Sequence, residues 1–269
     1  MKAIELIEAL KKGGHAEAKT CDTVKSGDPE KELKKVGVTM FATVDTVKRA
    51  KEWGADMLIV HEPTYYDHFE ELYDTPVSLA KKKLINDTGM VVFRYHDYMH
   101  HRDVDQVPEG EVHYLGLKGR VEKTPYSASY VMTLDESITA YELAKRMEKD
   151  LNIAHVRIAG AMDKPATKLA LCFGTPSGVF ELLCDESINI VMTGEACEWK
   201  LGEYARDAGA LGMNKTLIVM GHIGSERDGM RLLAERLKEK YTAFETKYFE
   251  CGEVYTYLDK YEGEKYENS

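Results

Sequence analysis

The chain has 269 residues, 43% of them hydrophobic and 30% charged, which is enough for one large domain or two lobes with hydrophobic cores. Its formal net charge of −10 argues against nucleic-acid binding, because an acidic surface repels the phosphate backbone. No apolar run approaches the roughly 20 residues that span a bilayer. Residues 1–14 have helical spacing and lack the apolar core of a signal peptide. We therefore expect a cytoplasmic protein that contacts neither nucleic acid nor membrane.

The five cysteines are widely scattered and include no Cys-x-x-Cys pair. This spacing favours neither a disulfide framework nor a thiolate zinc site, so we expect buried, reduced thiols. They are Cys21, Cys172, Cys184, Cys197 and Cys251.

The first half of the chain alternates short apolar segments with amphipathic ones. The apolar segments at residues 36–42, 56–60 and 90–95 predict strands, and residues 43–53 and 75–87 predict helices. Such wholly apolar strands, separated by helices, are typical of buried parallel strands in βαβ units. The sequence therefore predicts an α/β fold.

The pattern changes near residue 123, where a second lobe is predicted to begin. Its first elements are predicted as strand, helix, strand and strand, at residues 126–134, 137–151, 155–160 and 168–173. Alternation then resumes, with helices at 178–185, 196–208 and 227–240 and strands at 188–193 and 215–220. Residues 247–252 and 253–258 predict a final hairpin. We expect lobes at residues 1–122 and 123–269, with the possibility that the last strands return to the first lobe.

Side chains with reactive groups directly follow four of the predicted strands. In open α/β sheets, ligands bind beyond the carboxyl ends of the strands, so these side chains predict one convergent site. The four groups are His61 and Glu62, then His96, Asp97 and His100, then Glu195, and finally His222 and Glu226.

Imidazole and carboxylate groups together favour a transition metal, such as zinc, iron or manganese, over calcium or magnesium. The candidate ligands outnumber the four of a closed zinc site. Two ions about 3.5–4 Å apart would use them better. The residue types therefore predict two divalent transition-metal ions.

Two segments leave local details to be decided by the structure. Ser225 is predicted to cap the last long helix, which would put Glu226 in its first turn. His96 and His100 lie on one side if their segment is helical. The residue that completes the site is left open among His100, Asp97, Asp103 and Asp105. His96, Asp97 and Glu195 are candidates for moving protons.

Over residues 27–241 the chain resembles the Nif-three-like family of toroidal hexamers with a dinuclear metal centre, which includes proteins known as GTP cyclohydrolase 1 type 2. The resemblance rests on GDP at 27–29, GADMLIVHEP at 54–63, FRYHDYMH at 93–100, TGEACEW at 193–199 and GHIGSE at 221–226.

The family pattern has two adjacent histidines before a proline, then His-x3-Asp, then His-x3-Glu. Glu62 stands at the second histidine and His100 at the aspartate, so the exchange is reciprocal and preserves the tally of imidazoles and carboxylates. The resemblance thus implies a variant metal site made of His61, Glu62, His100, His222 and Glu226.

The resemblance also implies a two-lobed fold with mixed, largely parallel sheets, a metal site at the lobe junction and a homohexameric toroid. The expected function is metal-dependent hydrolysis of a small nucleotide-like or phosphorylated substrate. The alternative is a non-catalytic metal-binding, scaffold or regulatory protein.

Overall fold

A computed structural model of the chain describes residues 1–69 and 73–257. The helices are α1 (Ala3–Lys11), α2 (Val44–Trp53), α3 (Pro76–Thr88), α4 (Asp97–His100), α5 (Gln106–Tyr114), α6 (Ala140–Asp150), α7 (Val179–Cys184), α8 (Glu203–Ala210) and α9 (His222–Lys240), with a π-helical turn at Glu198–Gly202. The strands are β1 (Val24–Ser26), β2 (Lys35–Thr39), β3 (Met57–Val60), β4 (Val91–Arg94), β5 (Gly119–Lys123), β6 (Tyr130–Thr139), β7 (Arg157–Gly160), β8 (Pro165–Cys172), β9 (Ile190–Thr193), β10 (Thr216–Val219) and β11 (Glu245–Tyr248). Within the described ranges, none of the helices combines the length and apolar character needed to cross a bilayer.

The first sheet has the strand order β1-β4-β3-β2-β11. Strands β4, β3, β2 and β11 run parallel to their neighbours, and β1 is antiparallel to β4. Every residue of β3 and β4 is buried, because the helices and the second sheet cover both faces. The prediction of buried parallel strands is confirmed here.

The second sheet has the order β5-β6-β8-β9-β10-β7. Its centre, β8-β9-β10, is parallel, whereas β5, β6 and β7 pair antiparallel. Both sheets are therefore mixed, as the expected fold class requires. Side chains of the two sheets share one large hydrophobic core, which includes Ile59 and Phe93 from the first and Leu171 and Met192 from the second.

The predicted hairpin at the end of the chain is wrong. Strand β11 pairs in parallel with β2 of the first sheet, where Tyr248 lies opposite Val38. Phe249 follows β11 and is buried in the smaller core of the first sheet. Residues 253–257 form no strand, and Leu258 lies outside the described residues. Strand β11 therefore pairs with the edge of β2, and Phe249 fills an apolar pocket, instead of the chain folding back into a local hairpin.

Helices α5 and α9 cross at two glycines, and a pair of carboxylates is buried beside the crossing. Glu111 Oε1 accepts a hydrogen bond from Asp228 N at 3.3 Å, whereas Glu111 Oε2 and Asp228 Oδ2 have no hydrogen-bond partner. Burial, followed by the charge of Asp228, raises the pKa of Glu111 well above its ordinary 4.5. Burial and the charge of Asp228 therefore favour the protonated form of Glu111.

We expect Glu111→Gln to stabilise the protein by an amount that grows with pH. Because the pKa of Glu111 is raised in the folded state, glutamate costs no stability below pH 4.5, and the free energy of unfolding of the wild type falls as the pH rises from 4.5 towards the folded-state pKa. The free energy of unfolding of Glu111→Gln relative to wild type should therefore grow by about 1.4 kcal/mol per pH unit from pH 4.5 up to the folded-state pKa. Denaturant unfolding of metal-free protein at about pH 5 and about pH 8 measures it, with the exposed Glu239→Gln as control. A difference that does not change with pH contradicts this assignment.

Candidate metal centre

The carboxyl ends of β3 and β4 in the first sheet face those of β9 and β10 in the second. His61 follows β3 directly, and α9 begins at His222, three residues beyond the final residue of β10. His222 Nε2 lies 2.8 Å from Glu62 Oε1, so side chains from the two sheets are in direct contact. The convergence of the strand ends is confirmed.

His61 is fully buried and presents one ring nitrogen to the cluster. Its Nδ1 lies 3.0 Å from the carbonyl oxygen of Tyr95. Because a carbonyl only accepts, Nδ1 carries the proton and Nε2 keeps its lone pair. Burial, together with the nearby His96 and His100, lowers the pKa of His61 well below its ordinary value, so the ring is neutral. Nε2 has no hydrogen-bond partner and lies 3.7 Å from Glu226 Oε2, which also has none.

Two groups of potential ligands share His61. His61, His96 and His100 offer ring nitrogens within 4.8 Å of one another, and His61, Glu62 and Glu226 form a second group within the same limit. The cluster therefore has an imidazole-rich side and a carboxylate-rich side.

His96 lies on the imidazole-rich side and is held by Asp97. The Nδ1 of His96 lies 3.0 Å from Asp97 Oδ1. The other carboxylate oxygen of Asp97 accepts hydrogen bonds from the Thr20 hydroxyl at 2.7 Å and from the Cys21 amide at 3.2 Å. Asp97 is thus turned away from the cluster and orients His96.

His100 is held by Asp105 in the same way. His100 Nδ1 lies 2.9 Å from Asp105 Oδ2, which also accepts a hydrogen bond from the Tyr130 hydroxyl at 2.8 Å. Asp105 Oδ1 accepts from Val107 N at the start of α5. Burial opposes the charged form of His100, but Asp105 outweighs it and raises the pKa to about 9. The structure thus brings His100 to the cluster, with Asp105 behind it.

Two further residues near His100 do not reach the cluster. Asp103 lines a separate cavity of about 360 Å³ together with Val104 and Pro108. His101 borders the cavity above the cluster, but its ring stacks on His15 at 5.5 Å.

His222 lies between three carboxylates. Its Nε2 is 2.8 Å from Glu62 and 3.3 Å from Glu226, and its Nδ1 is 2.7 Å from Glu195. Burial favours the neutral ring, but hydrogen bonds with Glu226 and Glu62 raise the pKa of His222 to about 11. A positive charge between these carboxylates is therefore favoured, and here an imidazolium supplies it.

The start of α9 differs from the prediction. Gly221, with φ at +82°, makes the turn, and the helix begins at His222 rather than at residue 227. Ser225 therefore lies inside the helix and caps nothing. Its hydroxyl donates to the carbonyl of His222 and accepts from Gly174 N at 3.0 Å. His222 and Glu226 face the same cluster because they are four residues apart in one helix.

Arg94 is a site residue that the sequence analysis missed. Its side chain is fully buried, and Nε and Nη1 donate to the carbonyl oxygens of His61 and His68 at 2.9 and 2.5 Å. Nη2 lies 3.5 Å from Glu62 Oε2. These contacts, with His222, fix Glu62, whose pKa is lowered by the His222 hydrogen bond and nearby imidazoles against the opposing effect of burial. The sequence feature that could have revealed Arg94 is a charged residue inside an otherwise apolar predicted strand.

A cavity of about 510 Å³ opens above the cluster. His96, His100 and Glu226 form part of its lining, and residues 127–128 and 175–177 form another part. The loop at 175–177 precedes α7, and its neighbour Gly174 packs on Glu226, because a Cβ at Gly174 would lie 2.2 Å from Glu226 Oε1. The cluster is therefore accessible to ions and to a small molecule.

The chain is similar to known proteins over most of its length. The Duf34/NIF3 (NGG1p interacting factor 3) family model matches residues 3–253. A GTP cyclohydrolase 1 type 2 homolog from Clostridium perfringens is 25% identical over 228 residues, covering 80% of this chain and 81% of that protein.

Two solved structures share the fold. Staphylococcus aureus protein SA1388 has a TM-score of 0.75 at 17% identity and covers 96% of this chain and 99% of its own. Reduced HcgD from Methanocaldococcus jannaschii has a TM-score of 0.73 at 18% identity, covering 92% and 97%. The family match over residues 3–253 shows that the chain belongs to the Duf34/NIF3 family.

Proposed function

We propose that the cluster binds two divalent transition-metal ions and that the protein is a metal-dependent hydrolase of a small nucleotide-like or phosphorylated substrate. One observation carries the metal site. His61 Nε2 and Glu226 Oε2 are buried 3.7 Å apart; His61 Nε2 has no hydrogen-bond partner, and Glu226 Oε2 has none beyond its 3.3 Å contact with His222 Nε2. Buried polar atoms without partners are costly, and an ion between them would remove that cost.

The donor set fits such ions. Imidazole nitrogens and carboxylate oxygens bind zinc at about 2.0–2.2 Å, so two ligands of one ion lie about 3–4 Å apart. Only Nε2 of His61 is free, and it binds one ion. The other ligands of the two groups would therefore divide between that ion and a second one. The imidazole-rich side favours iron or zinc, and the carboxylate-rich side also accepts manganese. Asp105, the partner of His100, is the outer carboxylate that keeps this ligand ring in place, and Asp97 orients His96 beside it.

The protein contributes orientation and proton transfer. A bound divalent ion would supply Lewis acidity towards water and towards a phosphoryl or carbonyl oxygen. His96 lines the cavity and is oriented by Asp97, so its Nε2 is available to exchange a proton there. Glu195 bonds to His222 Nδ1 and is more than half exposed, so it can pass a proton to solvent. Arg94 helps to hold Glu62 in place through its 3.5 Å contact with Glu62 Oε2.

The substrate class follows from the cavity and the relatives. A volume of about 510 Å³ accommodates a molecule of nucleotide size. The name of the Clostridium perfringens relative, a GTP cyclohydrolase 1 type 2 homolog, makes a purine nucleotide the first compound to test.

The test is turnover by metal-loaded full chain. Zinc-, iron(II)- and manganese-loaded protein is assayed against nucleoside triphosphates and simple phosphoesters. We expect metal-dependent hydrolysis that falls at least about 100-fold in Glu195→Gln and His96→Ala, the range in which one general acid or base contributes. The exposed His113→Ala is the control. Metal-replete protein without turnover on any of these compounds favours the alternative, a non-catalytic metal-binding or scaffold protein.

We also propose that six copies assemble into a ring, as the family resemblance implies. Native mass spectrometry of the full chain tests the assembly, with a mass six times 30.4 kDa as the expected result. A monomer at micromolar concentration contradicts it.

A further inference from the structure

A third group of metal-ligating atoms lies beside the cluster and shares no ligand with it. Cys21, His68 and Asp97 each offer one atom, and the three atoms lie within 4.8 Å of one another. We propose that these residues form an outer site for a thiophilic divalent cation, such as zinc or iron(II). This site is additional to the ions of the proposed function.

The distances fit one ion. Zinc–sulfur bonds of about 2.3 Å and zinc–oxygen bonds of about 2.0–2.2 Å place tetrahedral ligands about 3.5 Å apart. Cys21 Sγ lies 3.4 Å from Asp97 Oδ1. His68 need approach by at most about 1.3 Å, from the 4.8 Å limit of the group to a ligand separation of about 3.5 Å. Thiolate sulfur and imidazole nitrogen select zinc or iron(II) over magnesium or calcium.

Two of the three ligands are held rigidly. The Cys21 amide and the Thr20 hydroxyl both donate to Asp97 Oδ2. The carboxylate of Asp22, which is fully buried, accepts from the amides of His96, Asp97 and Tyr98 and so fixes the start of α4 onto the Cys21 segment. The third ligand, His68, is exposed at the cavity. A rigid pair with one accessible imidazole suits a site that an ion reaches from solvent.

Two carboxylates beside Cys21 favour a cation there. Cys21 Sγ lies 3.4 Å from Asp97 Oδ1 and 3.6 Å from Asp22 Oδ1. Burial raises the pKa of the Cys21 thiol, the charge of Arg94 opposes this rise, and the charges of Asp97 and Asp22 add to it. The thiol is therefore protonated and a poor nucleophile in the metal-free chain. When an ion binds, the proton leaves to solvent and a sulfur–metal bond forms, without a change of oxidation state.

The outer site also adjoins the main cluster. Asp97 Oδ1 contacts both Cys21 Sγ and His96 Nδ1. Ring centroids are 5.4 Å apart between His68 and His96 and 4.7 Å apart between His96 and His61. Imidazoles therefore lead in short steps from the exposed His68 to the fully buried His61, which gives an ion held at the outer site a path inward.

Cobalt(II) substitution of the full chain tests the outer site, because a cobalt–thiolate bond gives a charge-transfer absorption in the near-ultraviolet. We expect this band in the wild type, with one equivalent more of bound cobalt than in Cys21→Ser. Cys21→Ser and His68→Ala should each lose the band, and the exposed position of His68 makes that variant safe for folding. Cys197→Ser and Cys172→Ser, at an exposed and a buried cysteine, are matched controls and should retain it.

The outcome separates this proposal from the main site. His61→Ala should keep the thiolate band while it loses metal from the cluster. A wild type without the band, or a band that survives in both Cys21→Ser and His68→Ala, overturns the outer site, whatever the metal content of the cluster.

Discussion

His61→Ala and Glu226→Gln should each lower the metal affinity of the cluster by more than about 100-fold. Even the outer partners of metal ligands account for 10–100-fold in affinity, and these two residues present the unpartnered atoms themselves. Isothermal titration of chelator-stripped protein with zinc measures the change. His113→Ala, which removes an exposed imidazole of α5, is the matched control.

The same variants should separate metal binding from folding. An ion at 100 times its dissociation constant stabilises the folded state by about 2.7 kcal/mol. Wild type should gain this stabilisation when zinc is added, and Glu226→Gln should gain none of it. Without metal, Glu226→Gln should be less stable than wild type at neutral pH, because it removes a carboxylate that pairs with the His222 imidazolium at 3.3 Å. Equal stabilisation of both proteins by zinc would place the ion elsewhere.

Gly110→Ala should lower the free energy of unfolding by about 3 kcal/mol, the upper range for overpacking a core. A Cβ at this position would lie 2.4 Å from Gly229 N and 2.5 Å from the carbonyl oxygen of Asp228, both backbone atoms of α9. The helices would have to separate. This loss exceeds the gain of about 1 kcal/mol that alanine brings to a helix. Denaturant unfolding measures the difference.

Gly202→Ala is the control for this substitution. Gly202 has right-handed helical angles, and the methyl group that alanine would add there meets no atom within 4 Å, so the substitution should be neutral or slightly stabilising. Because α9 also carries His222 and Glu226, a separation of α5 from α9 should weaken zinc binding in Gly110→Ala. A Gly110→Ala protein as stable as Gly202→Ala would mean that the two helices do not cross as closely as described.

The fold was predictable where the residues of a segment determine its secondary structure by their own pattern. Strands β3, β4, β9 and β10 are wholly buried, mostly apolar and lie between helices, so the sequence predicted both their type and the edge at which their carboxyl ends meet. The last strand was not predictable in this way. Residues 247–258 alternate in a manner that suits a hairpin, but β11 finds its partner at β2, about 200 residues earlier in the chain.

The site was predictable to the extent that its residues follow strand ends. His61, Glu62, His222 and Glu226 do so, and the structure brings all four together. The sequence did not predict the roles of Arg94 and Asp105 beside the site. Arg94 lies within strand β4, and Asp105 caps helix α5 behind His100. Cys21 was expected to be an inert buried thiol. Its proximity to Asp97 depends on Asp22, whose contacts with three consecutive amides have no sequence pattern of their own.

Anomalous diffraction from zinc-loaded crystals of the full chain tests the central claim most directly. Two anomalous peaks should lie in the cluster, one of them within about 2.0–2.2 Å of His61 Nε2 and at least one within that distance of a Glu226 carboxylate oxygen. Crystals in which His61 Nε2 and Glu226 Oε2 bond only to water, with zinc absent from the cluster, would contradict the account.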